Sequence, residues 1–186
     1  MKRNIYIFFI LILFTFSTAY SQWNLLNLGG GSTGPIISTK PGTFFVATGL
    51  GIYRSTNSTL SWQNVSDNGI GSFWRSYPYA MAGRGDTVIF GTYGHVIGGA
   101  HIFITTDNGT NWRLISTGVR VSSFIFKDNC LIYTASVEGQ GDGIYRSTDV
   151  GQTWTLVSNQ SIRNFILYGN NIYVTSNYGL YRTSDY

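Results

Sequence analysis

The stretch "STDVGQTW" at residues 147–154 follows "GIYR" and has two upstream relatives, "STNSTLSW" at residues 55–62 and "TTDNGTNW" at residues 105–112. A fourth copy begins as "TSDY" at residues 183–186. Each copy places a hydroxyl residue two positions before an aspartate or asparagine, and the three longer copies end in tryptophan. We call these segments box turns. Their recurrence predicts a structural device used once per repeat rather than one catalytic centre.

Each box turn occupies the same place in a unit of four short apolar runs. The third unit reads "SSFIF", "CLIYTAS", "GIYRST" and "TWTLVS", with a turn at residues 127–129 and a loop at residues 137–142. The runs are rich in Ile, Val, Tyr, Phe and Thr and are bounded by Gly, Asn, Asp or Pro, which is a strand and hairpin pattern. Units of four antiparallel strands, spaced about 36 to 50 residues apart, predict an all-β propeller. One such blade cannot bury both faces alone, so it must stack on its neighbours.

The full pattern S-x-D-x-G-x-T-W resembles the Asp-box, or bacterial neuraminidase repeat, of propellers in sialidases, sortilin-type receptors and photosystem II assembly factor-like proteins. The third unit matches every position, whereas the others carry substitutions such as Asn57 for aspartate and Asn111 for threonine. The resemblance covers nearly all of residues 22–186 and implies a propeller of four-stranded blades with the box between strands three and four. It implies a structural role for Ser55, Asn57, Trp62, Thr105, Asp107, Gly109, Trp112, Ser147, Asp149, Gly151, Thr153, Trp154, Thr183 and Asp185.

The residue types suit a hairpin turn. An aspartate there can accept bonds from backbone N–H groups that lack partners in the sheet. Gly109 and Gly151 suit a positive φ, and each tryptophan can bury a large ring where the last strand begins. Asn57 can accept the same bonds but cannot act as an acid or base. Thr59 occupies the position of these glycines, which predicts a strained or differently shaped first turn.

The first residues predict an export signal. Lys2 and Arg3 precede an apolar run and a small-residue region suited to cleavage after Ser21, so we assign residues 1–21 to a signal peptide and residues 22–186 to the propeller blades. The apolar run is shorter than the roughly 20 residues that a membrane-spanning helix needs. We therefore expect a secreted or periplasmic protein without a transmembrane segment in the mature chain.

Charge and cysteine usage exclude several classes of function. The formal net charge of +4 falls to about +2 without the signal peptide, which is too weak to indicate nucleic-acid binding. Cys130 is the single cysteine and is expected to be a buried small hydrophobe. One cysteine and two histidines at scattered positions offer no metal-ligand spacing, and no motif indicates a cofactor.

Two arginine patterns have a possible functional meaning. Arg54, Arg146 and Arg182 each follow a tyrosine at equivalent positions of their repeats, which favours a repeated strand-surface or inter-blade role over a carboxylate-binding cluster. The Arg-Ile-Pro signature of sialidases is absent from the sequence. "RGD" at residues 84–86 aligns with the turns "KPG" and "KDN", so a turn is favoured over an adhesion ligand.

A binding site is expected on the propeller face opposite the box turns. Loops between the second and third strands and between blades would gather there, and rigid scaffolds commonly carry function on loops. The candidate ligand-binding residues are Phe73, Trp74, Arg75, His95, Glu138 and Asp142. Aromatic faces and a guanidinium can stack on sugars or peptide side chains, although packing within a long loop is the competing role of the first three.

The ends of the sequence leave two arrangements open. "QWNLLNL" at residues 22–28 resembles the fourth strands "SWQNV", "NWRLI" and "TWTLV", and the last unit lacks such a strand. Trp23 could therefore complete the last blade of a closed four-bladed ring. We favour the alternative that the sequence is a fragment of a larger propeller.

The predicted function is binding or assembly without catalysis, with a protein or a glycan as the partner. The alternative is a fragment of a secreted glycoside hydrolase, sialidase-like or of another kind, whose catalytic residues lie partly in missing blades. A third possibility is an assembly factor similar to the photosystem II group. Fold alone does not choose among them.

Overall fold

The computed structural model describes residues 26, 28, 33–71, 78–94, 99–137, 141–160 and 162–185. The predicted signal peptide lies outside these residues. Within the described ranges no helix is long and apolar enough to cross a membrane.

The described residues form fifteen strands in four sheets, which are the blades. Blades 1 and 2 contain β1 (Thr33–Lys40), β2 (Thr43–Thr48), β3 (Gly51–Ser55), β4 (Gln63–Asn64), β5 (Pro78–Arg84), β6 (Thr87–Thr92), β7 (His101–Thr105) and β8 (Arg113–Thr117). Blades 3 and 4 contain β9 (Val119–Lys127), β10 (Cys130–Val137), β11 (Gly141–Ser147), β12 (Thr155–Ser158), β13 (Ile162–Tyr168), β14 (Asn171–Ser176) and β15 (Gly179–Thr183).

Every blade is an antiparallel sheet whose strands follow chain order, and blade 4 has three described strands. The first strands contact one another in the series β1, β5, β9 and β13, so they form the inner wall around which the blades are arranged. This arrangement confirms the predicted propeller. Blade 3 has longer strands than the sequence pattern indicated, since β9 begins at Val119 and β11 at Gly141. Val119 and Val121 are both buried, which explains the extension of β9.

Apolar packing between successive blades forms the core. One cluster joins blades 1 and 2 and includes Phe45, Val88 and Phe90. A second joins blades 2 and 3 around Ile89, Ile104 and Tyr133, and a third joins blades 3 and 4 around Ile132, Phe165 and Val174. The partly buried Cys130 packs against the third cluster. The blades are thus stabilised by their neighbours, as expected for a sheet with two apolar faces.

Two box-turn tryptophans lie within these interfaces. Trp112 is 5% exposed, and its indole N–H donates to the carbonyl of Val65 in blade 1 at 2.9 Å. Trp154 packs on Tyr133 with ring centroids 4.4 Å apart. Trp112 thus fastens blade 2 to blade 1, and Trp154 packs against the cluster that joins blades 2 and 3.

The box turns share one hydrogen-bond pattern. In blade 3, Ser147 Oγ donates to Asp149 Oδ1 at 2.7 Å and accepts from the Gly151 N–H at 2.8 Å. The Thr153 N–H and hydroxyl donate to the two carboxylate oxygens of Asp149 at 2.9 and 2.6 Å. Asp107 of blade 2 accepts equivalent bonds from Asn111 at 2.8 Å. The aspartates thus satisfy turn donors, as the sequence predicted.

The first and last box turns keep parts of this pattern. In blade 1, Asn57 Oδ1 accepts from the Ser61 N–H at 3.0 Å, and its amide donates to Ser61 Oγ at 2.8 Å. In blade 4, Thr183 Oγ1 donates to Asp185 Oδ1 at 2.6 Å. An uncharged amide in Asn57 fills the place of the carboxylate, so the shared requirement is an acceptor rather than an acid.

The face that carries the box turns is also tied between blades. Gly85 donates its N–H to the carbonyl of Thr39 at 3.1 Å, and Asp86 forms an ion pair with Lys40, so the "RGD" sequence is an inter-blade turn. Arg54 of blade 1 donates to the Asn108 carbonyl in the box turn of blade 2. The inter-blade interpretation of this arginine is confirmed.

Thr59 adopts a positive φ, which costs conformational free energy for threonine but not for the glycines at the equivalent positions. Its φ is 72°, close to the 80° of Gly109 and the 77° of Gly151. We expect Thr59→Gly to raise the free energy of unfolding by about 1 kcal/mol, because strain in the left-handed region is relieved. Chemical denaturation measures the change.

Gly109→Ala provides the opposite control. A Cβ at Gly109 would lie 3.0 Å from the ring of Phe45 while keeping a positive φ, so stability should fall. Equal destabilisation by Thr59→Gly and Gly109→Ala would contradict the role assigned to this position.

The Asp149 carboxylate should make the stability of the fold decrease in acid. Hydrogen bonds from the Thr153 side chain and N–H, and from Ser147, hold the pKa of Asp149 well below its usual range. Because the pKa of Asp149 is lower in the folded state, the ionised carboxylate contributes its full stabilisation above about pH 4. This contribution is lost as the pH falls through the pKa of the folded state. We expect Asp149→Asn to lose less stability than the parent between about pH 6 and about pH 2.5 in urea denaturation.

The reciprocal substitution, Asn57→Asp, should add acid sensitivity to the first box turn. Parallel pH dependence of the parent and both variants would show that the carboxylate does not contribute in this way.

Candidate functional site

In the antiparallel blades, the ends of the second strands and the starts of the first and third strands lie on the face opposite the box turns, which we call the loop face. Of the candidate ligand-binding residues, Phe73, Trp74, Arg75, His95 and Glu138 lie outside the described residues. Asp142 is described, and it is an exposed residue of β11 rather than part of a loop as predicted. The difference arises because the ladder between β10 and β11 continues to Val137 and Gly141.

Strand pairing places Asp142 beside two other polar residues. Asp142 pairs with Ser136 of β10, and Ser136 pairs on its other side with Arg120 of β9. The carboxylate, hydroxyl and guanidinium residues are therefore neighbours across three strands at the loop-face end of blade 3. Adjacent cationic and anionic groups can recognise a polar ligand by charge-assisted hydrogen bonds.

Two exposed tyrosines of blade 2 lie next to this group. The Tyr79 and Tyr93 rings are 5.5 Å apart between centroids and tilted by 47°, with exposures of 57% and 38%. The Arg120 guanidinium lies 5.8 Å from the Tyr93 ring centroid, within the range of a cation–π contact. The aromatic pair and the polar group thus form one surface across blades 2 and 3.

A cavity of about 220 Å³ opens between the two blades beside Arg120, with Gly99, Ala100, Gly118 and Ser136 as its other lining residues. Gly118 alone connects β8 to β9, and its N–H donates to the Ala100 carbonyl at 2.8 Å. Its φ of 73° favours glycine, although no atom lies within 4 Å of where a Cβ would be. Small residues therefore leave the space that a ligand could enter.

His101 is the first residue of β7 and directly follows Ala100, which lines the cavity. The residue is 3% exposed, and its backbone N–H donates to Thr92 Oγ1 at 3.0 Å. Burial lowers the pKa of His101, against a smaller raising effect from a backbone hydrogen bond with Gly99. The imidazole is consequently neutral at physiological pH.

A second groove, of about 440 Å³, lies on the opposite face between the box turns of blades 2 and 3. Asp107 and Arg113 are among its lining residues. The pKa of Asp107 is lowered, because hydrogen bonds from Asn111, Thr105 and Thr110 outweigh the raising effect of burial. Asp107 therefore remains ionised and engaged within its own turn, which does not suit a general acid.

The tyrosine pair and Arg120 were missed in the sequence because their runs match core-strand patterns. Tyr79 lies within "YPYAM" and Tyr93 ends "FGTY", where an aromatic residue is expected to be buried. Their position at the loop-face ends of adjacent strands was the signal that could have indicated an exposed site. The surface they form offers stacking, cation–π contact and bidentate hydrogen bonding, which are means of recognition.

No protein-family model matches the chain, and no curated protein matches it. Solved structures do match. An ancestral GH74 enzyme is 23% identical, with a TM-score of 0.59, over 89% of this chain and 24% of that chain. A GH74 enzyme from Niastella koreensis is 19% identical, with a TM-score of 0.56, over 78% of this chain and 25% of that chain. YCF48 from Cyanidioschyzon merolae is 15% identical, with a TM-score of 0.59, over 84% of this chain and 54% of that chain.

These structures are β-propeller proteins and include both enzymes and non-enzymes. The chain spans about a quarter of the length of the GH74 enzymes and about half of YCF48. At these identities the likeness shows that the chain has a β-propeller fold, and it shows the fold alone.

Proposed function

We propose that this chain is an exported, non-enzymatic binding module whose ligand is a carboxylate-bearing glycan. The loop face of blades 2 and 3 is the ligand platform. The observation that carries the proposal is the juxtaposition of Tyr79, Tyr93 and Arg120 beside an open cavity. Aromatic rings offer an apolar face to a sugar, and a guanidinium binds a carboxylate in a bidentate manner.

We assign the box turns to the Asp-box type, with a structural role in the scaffold. Their hydroxyl, carboxylate or amide and glycine residues bond within each turn, and Trp112 and Trp154 pack between blades. Export rests on the basic and apolar leader at residues 1–21. The loop residues Phe73, Trp74, Arg75, His95 and Glu138 flank the platform in sequence, and they extend it under this proposal.

A glycoside hydrolase is the second candidate, and the fold likeness to GH74 enzymes favours it. Hydrolysis requires two suitably separated carboxyl groups or an equivalent pair. The described residues that line the loop-face cavity supply a guanidinium and a hydroxyl. These groups favour recognition of a glycan over its cleavage.

We expect Tyr93→Ala to weaken binding of polygalacturonate by roughly tenfold, or about 1.4 kcal/mol, because a ring that also supports Arg120 is removed. Binding is measured by isothermal titration with the methyl-esterified polymer as the uncharged comparison. Arg120→Gln should remove the preference for the charged polymer.

Tyr178→Ala is the matched control, since Tyr178 is an 87% exposed tyrosine at the corresponding end of blade 4. Equal losses in Tyr93→Ala and Tyr178→Ala would contradict a platform on blades 2 and 3. Release of reducing ends from the polymer would replace the binding module with the hydrolase.

A further inference from the structure

The residue before each box turn is arginine in blades 1, 3 and 4, whereas in blade 2 it is Ile104. Ile104 is 2% exposed and belongs to the core cluster that joins blades 2 and 3. The arginine by which blade 1 is tied to blade 2 therefore has no counterpart at this position of blade 2.

Arg54 shows what that position does in blade 1. Its guanidinium donates to the carbonyl of Asn108, the fourth residue of the next box turn, and to Gln63 Oε1 at 3.0 Å. The fourth residue of the box turn in blade 3 is Val150. Among the described residues, none donates a hydrogen bond to the Val150 carbonyl. An acceptor that is engaged between blades 1 and 2 is thus available between blades 2 and 3.

Arg113 lies beside Ile104 and brings a guanidinium to the same interface. Ile104 pairs with Arg113 across β7 and β8, as Arg54 pairs with Gln63 in blade 1. Directly opposed residues of neighbouring strands project from the same face of a sheet, so Arg113 lies on the side of blade 2 that packs against blade 3. Arg113 is exposed and forms no hydrogen bond or ion pair with another residue of the described ranges.

These residues line the groove of about 440 Å³ between the box turns of blades 2 and 3. Its apolar lining consists of the buried Ile104 and Trp112 and of Val150, which is 44% exposed. The exposed side chains of Thr106 and Gln152 add polar groups beside Arg113. An apolar surface with a few polar groups at its border is typical of a ligand-binding groove.

Val150 has a backbone conformation that its side chain disfavours. Its φ is 57°, and the equivalent residues Ser58 and Asn108 have φ values of 56° and 59°. Asparagine tolerates this left-handed conformation, whereas a β-branched residue is an outlier there. Burial does not account for valine at this position, because the side chain is 44% exposed. Strain of this kind occurs at binding sites, where the side chain contacts a ligand.

Asp107 is the acidic residue among the lining residues, and its carboxylate is already engaged. The oxygens accept hydrogen bonds from the Thr105 hydroxyl and from the N–H and side-chain amide of Asn111. The donors of Arg113, in contrast, are not used by the described residues. The charge complementary to this groove is therefore that of an anion, which a guanidinium binds through two parallel hydrogen bonds.

We propose that the groove binds the C-terminal end of a partner polypeptide whose last side chain is apolar. Arg113 pairs with the terminal carboxylate, and the Val150 carbonyl accepts from the last peptide N–H. Ile104 and the Val150 methyl groups contact the last side chain. A C-terminal residue carries these three features on one unit. The groove lies on the face opposite the glycan platform, so this inference is independent of the proposed function.

Isothermal titration of the chain with the acetylated peptide Gly-Ser-Gly-Ser-Leu, ending in a free carboxylate, tests the proposal at low ionic strength. We expect saturable binding that is weakened at least about tenfold when the peptide ends in a carboxamide. The same peptide with glycine as its last residue should also bind at least about tenfold more weakly, because the apolar contact is lost. Equal binding of the acid and the carboxamide would overturn the proposal.

Variants of Arg113 test the guanidinium without disturbing the core. Arg113→Gln introduces the residue that blade 1 carries at the paired position, and it should weaken peptide binding at least about tenfold. Arg113→Lys should restore only part of the affinity, because an ammonium offers no bidentate fork. Leu60→Ala is the control, since Leu60 is an 86% exposed residue of the first box turn. Equal affinities of Arg113→Gln and Leu60→Ala would contradict the assignment.

Val150→Asn separates binding from stability. Asparagine occupies the equivalent position of blade 2 as Asn108, so the variant should raise the thermal midpoint by roughly 2–4 °C as strain is relieved. The same variant should weaken peptide binding about fivefold, because the methyl groups are lost. A purely structural role would leave the affinity unchanged or increase it, and either result would overturn the role given to Val150.

Two further titrations decide between ligand classes. Binding of N-acetylleucine as tightly as the pentapeptide would mean that the groove takes a small acyl amino acid, which overturns the assignment to a polypeptide end. Displacement of the bound peptide by polygalacturonate would place both ligands in one site and overturn the separate groove. We expect neither result, and we expect polygalacturonate to bind Arg113→Gln as it binds the parent chain.

Discussion

Burial of apolar surface between successive blades is the interaction on which the rest of the structure depends. Phe45, Phe90 and Tyr133 each lie in a blade that would expose them if it stood alone. The box-turn tryptophans Trp112 and Trp154 extend this packing to the outer strands. Stability is therefore a property of neighbouring pairs of blades.

Much of the fold could be predicted from the sequence because the repeat carries it. Alternating apolar runs specify the strands, and the box turns specify where the third and fourth strands join, since their hydrogen bonds form between residues four positions apart or closer. The extension of β9 to Val119 could not be predicted, because it depends on burial against blade 2. Tertiary contacts, rather than local propensity, determine such strand ends.

The candidate site was less accessible to sequence reasoning for a similar reason. Tyr79, Tyr93 and Arg120 are separated along the chain and meet only because blades 2 and 3 are adjacent. A strand tyrosine is expected in the core, and its exposure at a strand end is decided by stacking of the blades. The box turns thus hold the blades together on one face, and we propose that the opposite loop face binds the ligand.

Nuclear magnetic resonance titration of the chain with a galacturonic acid oligosaccharide tests this division of roles most directly. We predict that ring signals of Tyr79 and Tyr93 and the Arg120 side-chain signal shift on binding, while the indole signals of Trp112 and Trp154 remain unchanged. Shifts confined to the box-turn residues Asp107, Asp149 and their tryptophans would place the ligand on the opposite face and contradict the account.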